Sequence, residues 1–157
     1  MSQTQLIEDY RSGSQQLRDA VAGMTAGQLD ARPIAGKMST REVVCHIADF
    51  EPVYADRMKR VIAEESPPLR GGDPDVWMQA LAYDTRDLEE ELAVIEAVRS
   101  QMARILRGVS DNAWSRVGIH SEAGPLTLEE LLRRITNHMP HHIRFIEEKR
   151  AALSATS

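Results

Sequence analysis

Leu126-Thr127-Leu128-Glu129-Glu130-Leu131-Leu132-Arg133-Arg134-Ile135-Thr136-Asn137-His138-Met139-Pro140-His141-His142-Ile143-Arg144-Phe145-Ile146 is the segment whose reading decides the fold. Thr127 and Glu130 have the spacing of a capping box, and Leu126 and Leu131 that of a hydrophobic staple, so a helix starts near Leu128 and is expected to run over about 128–150. Advancing about 100° per residue, Leu128, Leu131, Ile135 and Ile146 share one face. His138 and His142 fall on that same face, one turn apart. Two imidazoles therefore point inward where leucine would be expected. They supply one edge of a metal site and leave a third ligand to be found elsewhere.

The chain has 157 residues, the size of one domain, and can bury about two thirds of its unfolded surface without help from a metal. Its hydrophobic content of 42% and charged content of 27% are ordinary for a globular protein. No apolar run approaches the roughly 20 residues of a membrane span. The first residues, MSQTQLIEDY, lack the basic and apolar regions of a signal peptide, so a cytoplasmic protein is the expectation. The net charge of −5, with no basic cluster, argues against nucleic acid or an anionic membrane as partner. The single cysteine, Cys45, excludes an intrachain disulfide and a multi-cysteine zinc site. It adjoins His46, but no lysine or arginine is placed to stabilise a thiolate, so it reads as a small buried hydrophobe.

Three further helices precede the histidine helix. From about 4 to 22, Leu6, Tyr10, Gly13, Leu17 and Ala20 or Val21 recur at spacings of four and three. A connection from Met24 to Met38 follows. The second helix, about 40–64, opens with the capping box Ser39 to Glu42 and carries the inward stripe Val43, His46 or Ile47, Phe50, Tyr54, Met58 and Val61. Pro52 should kink or distort it, since proline cannot donate to the Ala48 carbonyl. Prolines and glycines then mark a long connection from Ser66 to Tyr83, with one helical turn around Val76 to Leu81. The third helix, about 85–107, carries Leu88, Leu92, Ile95, Val98 and Met102 on one face, and its acidic start suits the helix dipole. No strand-like alternation appears. The expectation is an all-α fold, a four-helix bundle forming a single domain over 1–157.

Among the remaining histidines, His141 lies about 60° outside His138 on the helical wheel, and His120 falls in a loop. His46 is the one on an inward-leaning surface. It stands about 10 Å into its helix, whereas His138 and His142 stand about 15–21 Å along theirs and about 12–18 Å from its end. The levels match better if these helices are antiparallel. That requires the long connection to cross the bundle, leaving the second and third helices parallel in an up-down-down-up arrangement.

Met38-Ser39-Thr40-Arg41-Glu42-Val43-Val44-Cys45-His46-Ile47-Ala48-Asp49-Phe50-Glu51, followed by Gly124-Pro125-Leu126-Thr127-Leu128 and then His138-x-x-x-His142, resembles the DinB/YfiT superfamily of metal-binding helical bundles over nearly the whole chain. The resemblance implies an up-down-down-up bundle, often a homodimer, with a divalent zinc or nickel ion held by three histidines. By position these are His46, His138 and His142. Pro140 departs from the pattern, since it frees the Thr136 carbonyl and threatens to tilt the ligand pair. Asp49 reads either as an orienting or direct ligand or as an exposed acid.

Three neutral imidazoles leave a coordination position open, as in catalytic zinc sites. The glutamate base of an H-E-x-x-H protease is absent, as are a nucleophile elbow, a phosphate-cradling glycine loop and the E-x-x-H pairs of a di-iron site. The resemblance implies a metal-dependent enzyme that activates a low-molecular-weight thiol, as a thiol transferase does, or water, as a hydrolase does, against a small-molecule electrophile. The competing expectation is a non-catalytic, metal-stabilised bundle serving as a dimeric binding or sensor protein. Trp77 and Trp114 read either as pocket walls or as caps on the core.

Overall fold

Three capping boxes set the helix starts. In a computed structural model describing residues 1–156, the side chains of Thr25, Ser39 and Thr127 accept from the third backbone N–H of their helices, and Gln28, Glu42 and Glu130 reach back to the caps. Ser39 and Thr127 thus open α3 (Thr40–Ala63) and α6 (Leu128–Ala155), and Thr25 opens the single turn α2 (Ala26–Asp30). The helix α1 (Gln3–Val21) is capped by Ser2, and α5 (Leu88–Arg107) by Asp87. The third long helix therefore begins after a short 3-10 turn at Tyr83–Thr85 rather than within it, and the last runs to Ala155 rather than ending near 150.

Side-chain pairings fix the helix directions. Lys59 meets Gln101 where Glu51 meets Arg99, so α3 and α5 are parallel. Glu8 meets Arg107 while Arg18 meets Glu89, so α1 and α5 are antiparallel. His46 meets His138 and His142 near the N-terminal end of α3, whereas Glu51 is joined through Arg99 to the Ile135 carbonyl, earlier in α6. Thus α3 and α6 are antiparallel, and the bundle is up-down-down-up.

The crossover between α3 and α5 contains the strand β1 (Pro68–Leu69) and the helix α4 (Pro74–Ala80). β1 pairs in parallel with β2 (Val117–His120), which pairs antiparallel with β3 (Gly124–Thr127), so Leu69 stands opposite His120 and His120 opposite Gly124. This small sheet corrects the strand-free expectation. Strands of two and four residues are too short to show alternation above the noise of a loop. Gly118 lets the sheet sit tightly on α3, because a Cβ there would lie 2.8 Å from Val61 and 2.7 Å from Leu69.

The helix α3 continues through Pro52, and α6 through Pro140. Both prolines are exposed, whereas Ala48, whose carbonyl Pro52 releases, is buried, and Thr136, whose carbonyl Pro140 releases, is half-buried.

The interior is two apolar clusters with a charged layer between them. One contains Tyr10, Met58, Met102, Trp114 and Leu131; the other contains Leu17, Ile47, Ile95, Met139 and Ile146. Between them Arg99, fully buried, donates to Glu51 and to the carbonyls of Tyr10 and Ile135, and lies 4.6 Å over the Tyr10 ring. Gly13 makes room for it, since a Cβ there would stand 2.2 Å from Arg99 Nη1. Trp114 caps the first cluster, one of the two roles expected of it.

Candidate metal centre

His46 sits in the second turn of α3, and His138 and His142 sit one turn apart in the middle of α6. Because α3 and α6 run antiparallel, the three side chains arrive at one level. Their Nε2 atoms are 3.0 Å (His46 to His138), 3.1 Å (His46 to His142) and 3.0 Å (His138 to His142) apart. Among the described residues this is a cluster with the ligand spacing of a metal site, and no carboxylate joins it.

The donor set fits a cation better than a hydrogen-bond network. Each neutral imidazole presents at Nε2 either one hydrogen or one lone pair, and a single hydrogen points along only one edge of a triangle. Three nitrogens in mutual contact therefore leave at least one edge with no hydrogen bond, where two lone pairs or two N–H groups face each other, whereas a cation among three lone pairs satisfies all of them. Burial, and after it the neighbouring imidazoles, lowers the pKa of His138 to about 3 and that of His142 to about 2. His46 is lowered for the same first reason, against the pull of Asp49. At neutral pH the rings are unprotonated, the form that binds a metal.

Ring orientation is held by packing. Phe50 lies 4.9 Å from the His46 ring, and Phe145 lies 6.1 Å from that of His142. The Nδ1 atoms of His46 and His138 are buried with no protein hydrogen-bond partner, so the carboxylate or carbonyl that usually fixes a ligand imidazole is not supplied by this chain's described residues. Asp49 does not take that place. Its carboxylate receives both arms of Arg86, at 2.7 and 2.9 Å, and Arg86 also binds Glu91. Neither ligand nor exposed acid, Asp49 fastens the crossover to α3. The sequence hides this pairing, since the partners are 37 residues apart.

Cys45 is buried and its thiol donates to the Tyr83 carbonyl at 3.4 Å. Burial pushes its pKa up to about 12 even though Arg86 and Arg41 act in the opposite direction. The cations absent from the sequence reading are thus present and outweighed.

The imidazoles open on a cleft of about 650 Å³ whose walls include Phe50, Arg57, His120, Arg134 and His141. His141, at the edge of the site as its wheel position requires, is exposed and packs edge-on against His142 and Phe145. Trp77 backs Phe50 at 5.1 Å. Arg57 and His120 were not foreseen as walls. One reaches the cleft from α3, the other from a strand read as loop.

Bundle topology and a cluster of three histidines at the base of an open cleft define a class: helical bundles built around a candidate metal centre of three imidazoles. The sequence model of the DinB superfamily matches residues 10–146, and the chain belongs to that superfamily. It is 32% identical over 133 residues to the Bacillus subtilis (strain 168) protein named "Putative metal-dependent hydrolase YfiT", covering 84% of this chain and 75% of that one. An Oceanobacillus iheyensis relative of the same general name is 28% identical, with 83% and 75% covered. The solved structure of Bacillus subtilis YfiT, described as having an unusual four-helix bundle topology, superposes with a TM-score of 0.91 at 28% identity, covering 98% of this chain and 90% of that one. The mycothiol-dependent maleylpyruvate isomerase shares the fold at 12% identity and a TM-score of 0.73, with 91% of this chain and 60% of that one covered.

Proposed function

We propose that His46, His138 and His142 hold a divalent metal, zinc or nickel, and that the protein is a metal-dependent enzyme acting on a small molecule. The observation that carries this is the convergence of three neutral Nε2 atoms within 3.0–3.1 Å at the base of an open cleft. A metal held by three imidazoles supplies Lewis acidity that lowers the pKa of a water or a thiol. The chain's own residues then have defined tasks. His46, His138 and His142 present lone pairs, Phe50 and Phe145 fix two of the rings, and the cleft admits the substrate. Asp49, held by Arg86, stays with the crossover and takes no part at the metal.

The relatives named as metal-dependent hydrolases support water as the activated group, and the shared fold of a mycothiol-dependent isomerase supports a low-molecular-weight thiol. The test begins with metal analysis of purified protein. Thiol consumption with a panel of small electrophiles, and hydrolysis of small esters and amides, are then followed before and after chelation. Turnover that chelation abolishes and zinc or nickel restores supports the reading. Stoichiometric metal with no turnover, and a melting temperature that chelation lowers, would instead assign a metal-stabilised binding protein. Cytoplasmic location and a homodimer belong to the same proposal, and light scattering reports the oligomer directly.

A further inference from the structure

The cleft above the histidines has an unbalanced wall. Arg57 is 5% exposed, yet with the described residues it forms no ion pair. Its Nη2 donates to the Arg70 carbonyl, its guanidinium lies 4.7 Å over the Tyr54 ring, and its Nε is buried with no partner. A cation withdrawn from water and left without a bonded carboxylate is costly, so its retention beside a cleft calls for an anion that arrives from outside.

Two neighbours on the same wall point the same way. Arg134, exposed, makes no ion pair or hydrogen bond with any described residue and is close enough to act on Arg57 electrostatically. His120 accepts the backbone N–H groups of Glu122 and Ala123 at Nδ1, both at 3.1 Å. A neutral ring with its lone pair so used carries its proton on Nε2, which leaves one N–H donor. The acids of the lining, Asp75 and Glu122, bond to neither guanidinium; Glu122 acts on Arg57 and His120 only from beyond bonding distance, and so leaves their donors open.

We infer that Arg57, Arg134 and His120 form an oxyanion subsite in the cleft, and that the substrate carries a carboxylate or phosphoryl group bound there while its reacting atom faces the histidines. The inference deepens the proposed function by naming the substrate class, and it rests on that reading for the reaction but not for the binding.

Succinate, its neutral isostere succinamide, and inorganic phosphate are titrated into the full chain, stripped of metal and then zinc-loaded. Binding is followed by calorimetry. Succinate or phosphate should bind in both forms, and succinamide about ten- to hundredfold more weakly. The tighter of the two anions identifies the group. Arg134→Gln, at an exposed position, should fold normally and weaken anion binding about tenfold or more, with Arg134→Lys retaining most of it. Arg57→Met should weaken it at least as much. Equal binding of succinate and succinamide, no binding of either anion, or wild-type affinity in Arg134→Gln overturns the inference. So does anion binding seen only with zinc and unchanged in Arg134→Gln, which would be ligation of the metal. Anion binding by metal-free protein whose histidines take up no metal would sink the metal proposal and leave the subsite standing.

Discussion

Gly13→Ala tests the charged layer with a single methyl group. In an open helix the change would stabilise by up to about 1 kcal/mol, because alanine has the higher propensity. Here the new Cβ would stand 2.2 Å from Arg99 Nη1 and 3.2 Å from Met139 Cγ. The thioether can give by a few tenths of an ångström. The guanidinium cannot move without leaving the Tyr10 carbonyl, to which that nitrogen donates. Disrupting a buried charge pair costs about 3–5 kcal/mol, so the net loss should be about 2–4 kcal/mol. For a chain of this size that lowers the melting temperature by roughly 5–15 °C. Urea denaturation of chelated protein gives the free energy without a contribution from bound metal. The same change in a Glu51→Leu/Arg99→Met background has no guanidinium to strike and should be neutral or mildly stabilising. A Gly13→Ala protein as stable as wild type, or a loss that persists in that background, refutes the reasoning.

Asparagine at His46, His138 or His142 should abolish stoichiometric zinc or nickel binding by elemental analysis, whereas His141→Asn should bind metal normally. The metal-free protein should lose stability as pH falls below about 6.5. The unfolded chain takes up protons there, while His138 and His142, depressed to about 3 and 2, do not, so stability is full above the unfolded value and declines toward the folded ones. The slope is at most about 1.4 kcal/mol per pH unit for each ring. Chemical denaturation at pH 7.5 and 5.5 checks it, and equal stabilities would contradict the burial of the rings. Cys45 should resist iodoacetamide at pH 8 in the native state and react on unfolding, as mass spectrometry would show.

Most of the bundle was legible because its signals are local. Capping boxes lie within four residues, and the apolar stripes repeat within two turns, so the starts of α3 and α6 could be placed nearly to the residue, whereas the end of α6, with no glycine or proline to stop it, ran five residues further than expected. The direction of α3 against α6 followed from requiring His46 to reach the level of His138 and His142. Long-range pairs of charges were not legible. Glu51 and Arg99, 48 residues apart, sit on helix faces where a charge normally marks solvent. Gly13 read as one more small residue on a stripe until the guanidinium it accommodates was located. The strands β1, β2 and β3 were missed because each is held by partners outside itself, and with them went the position of His120 in the cleft.

The Glu51–Arg99 layer also divides the protein by task. The helical turns that carry the imidazole triangle belong to the half containing Ile47, Ile95 and Met139, while Met58, Met102 and Trp114 fill the far compartment. Because Arg99 also holds the Ile135 carbonyl, less than one turn before His138, a change of volume in the remote half reaches the imidazoles only through that ionic layer.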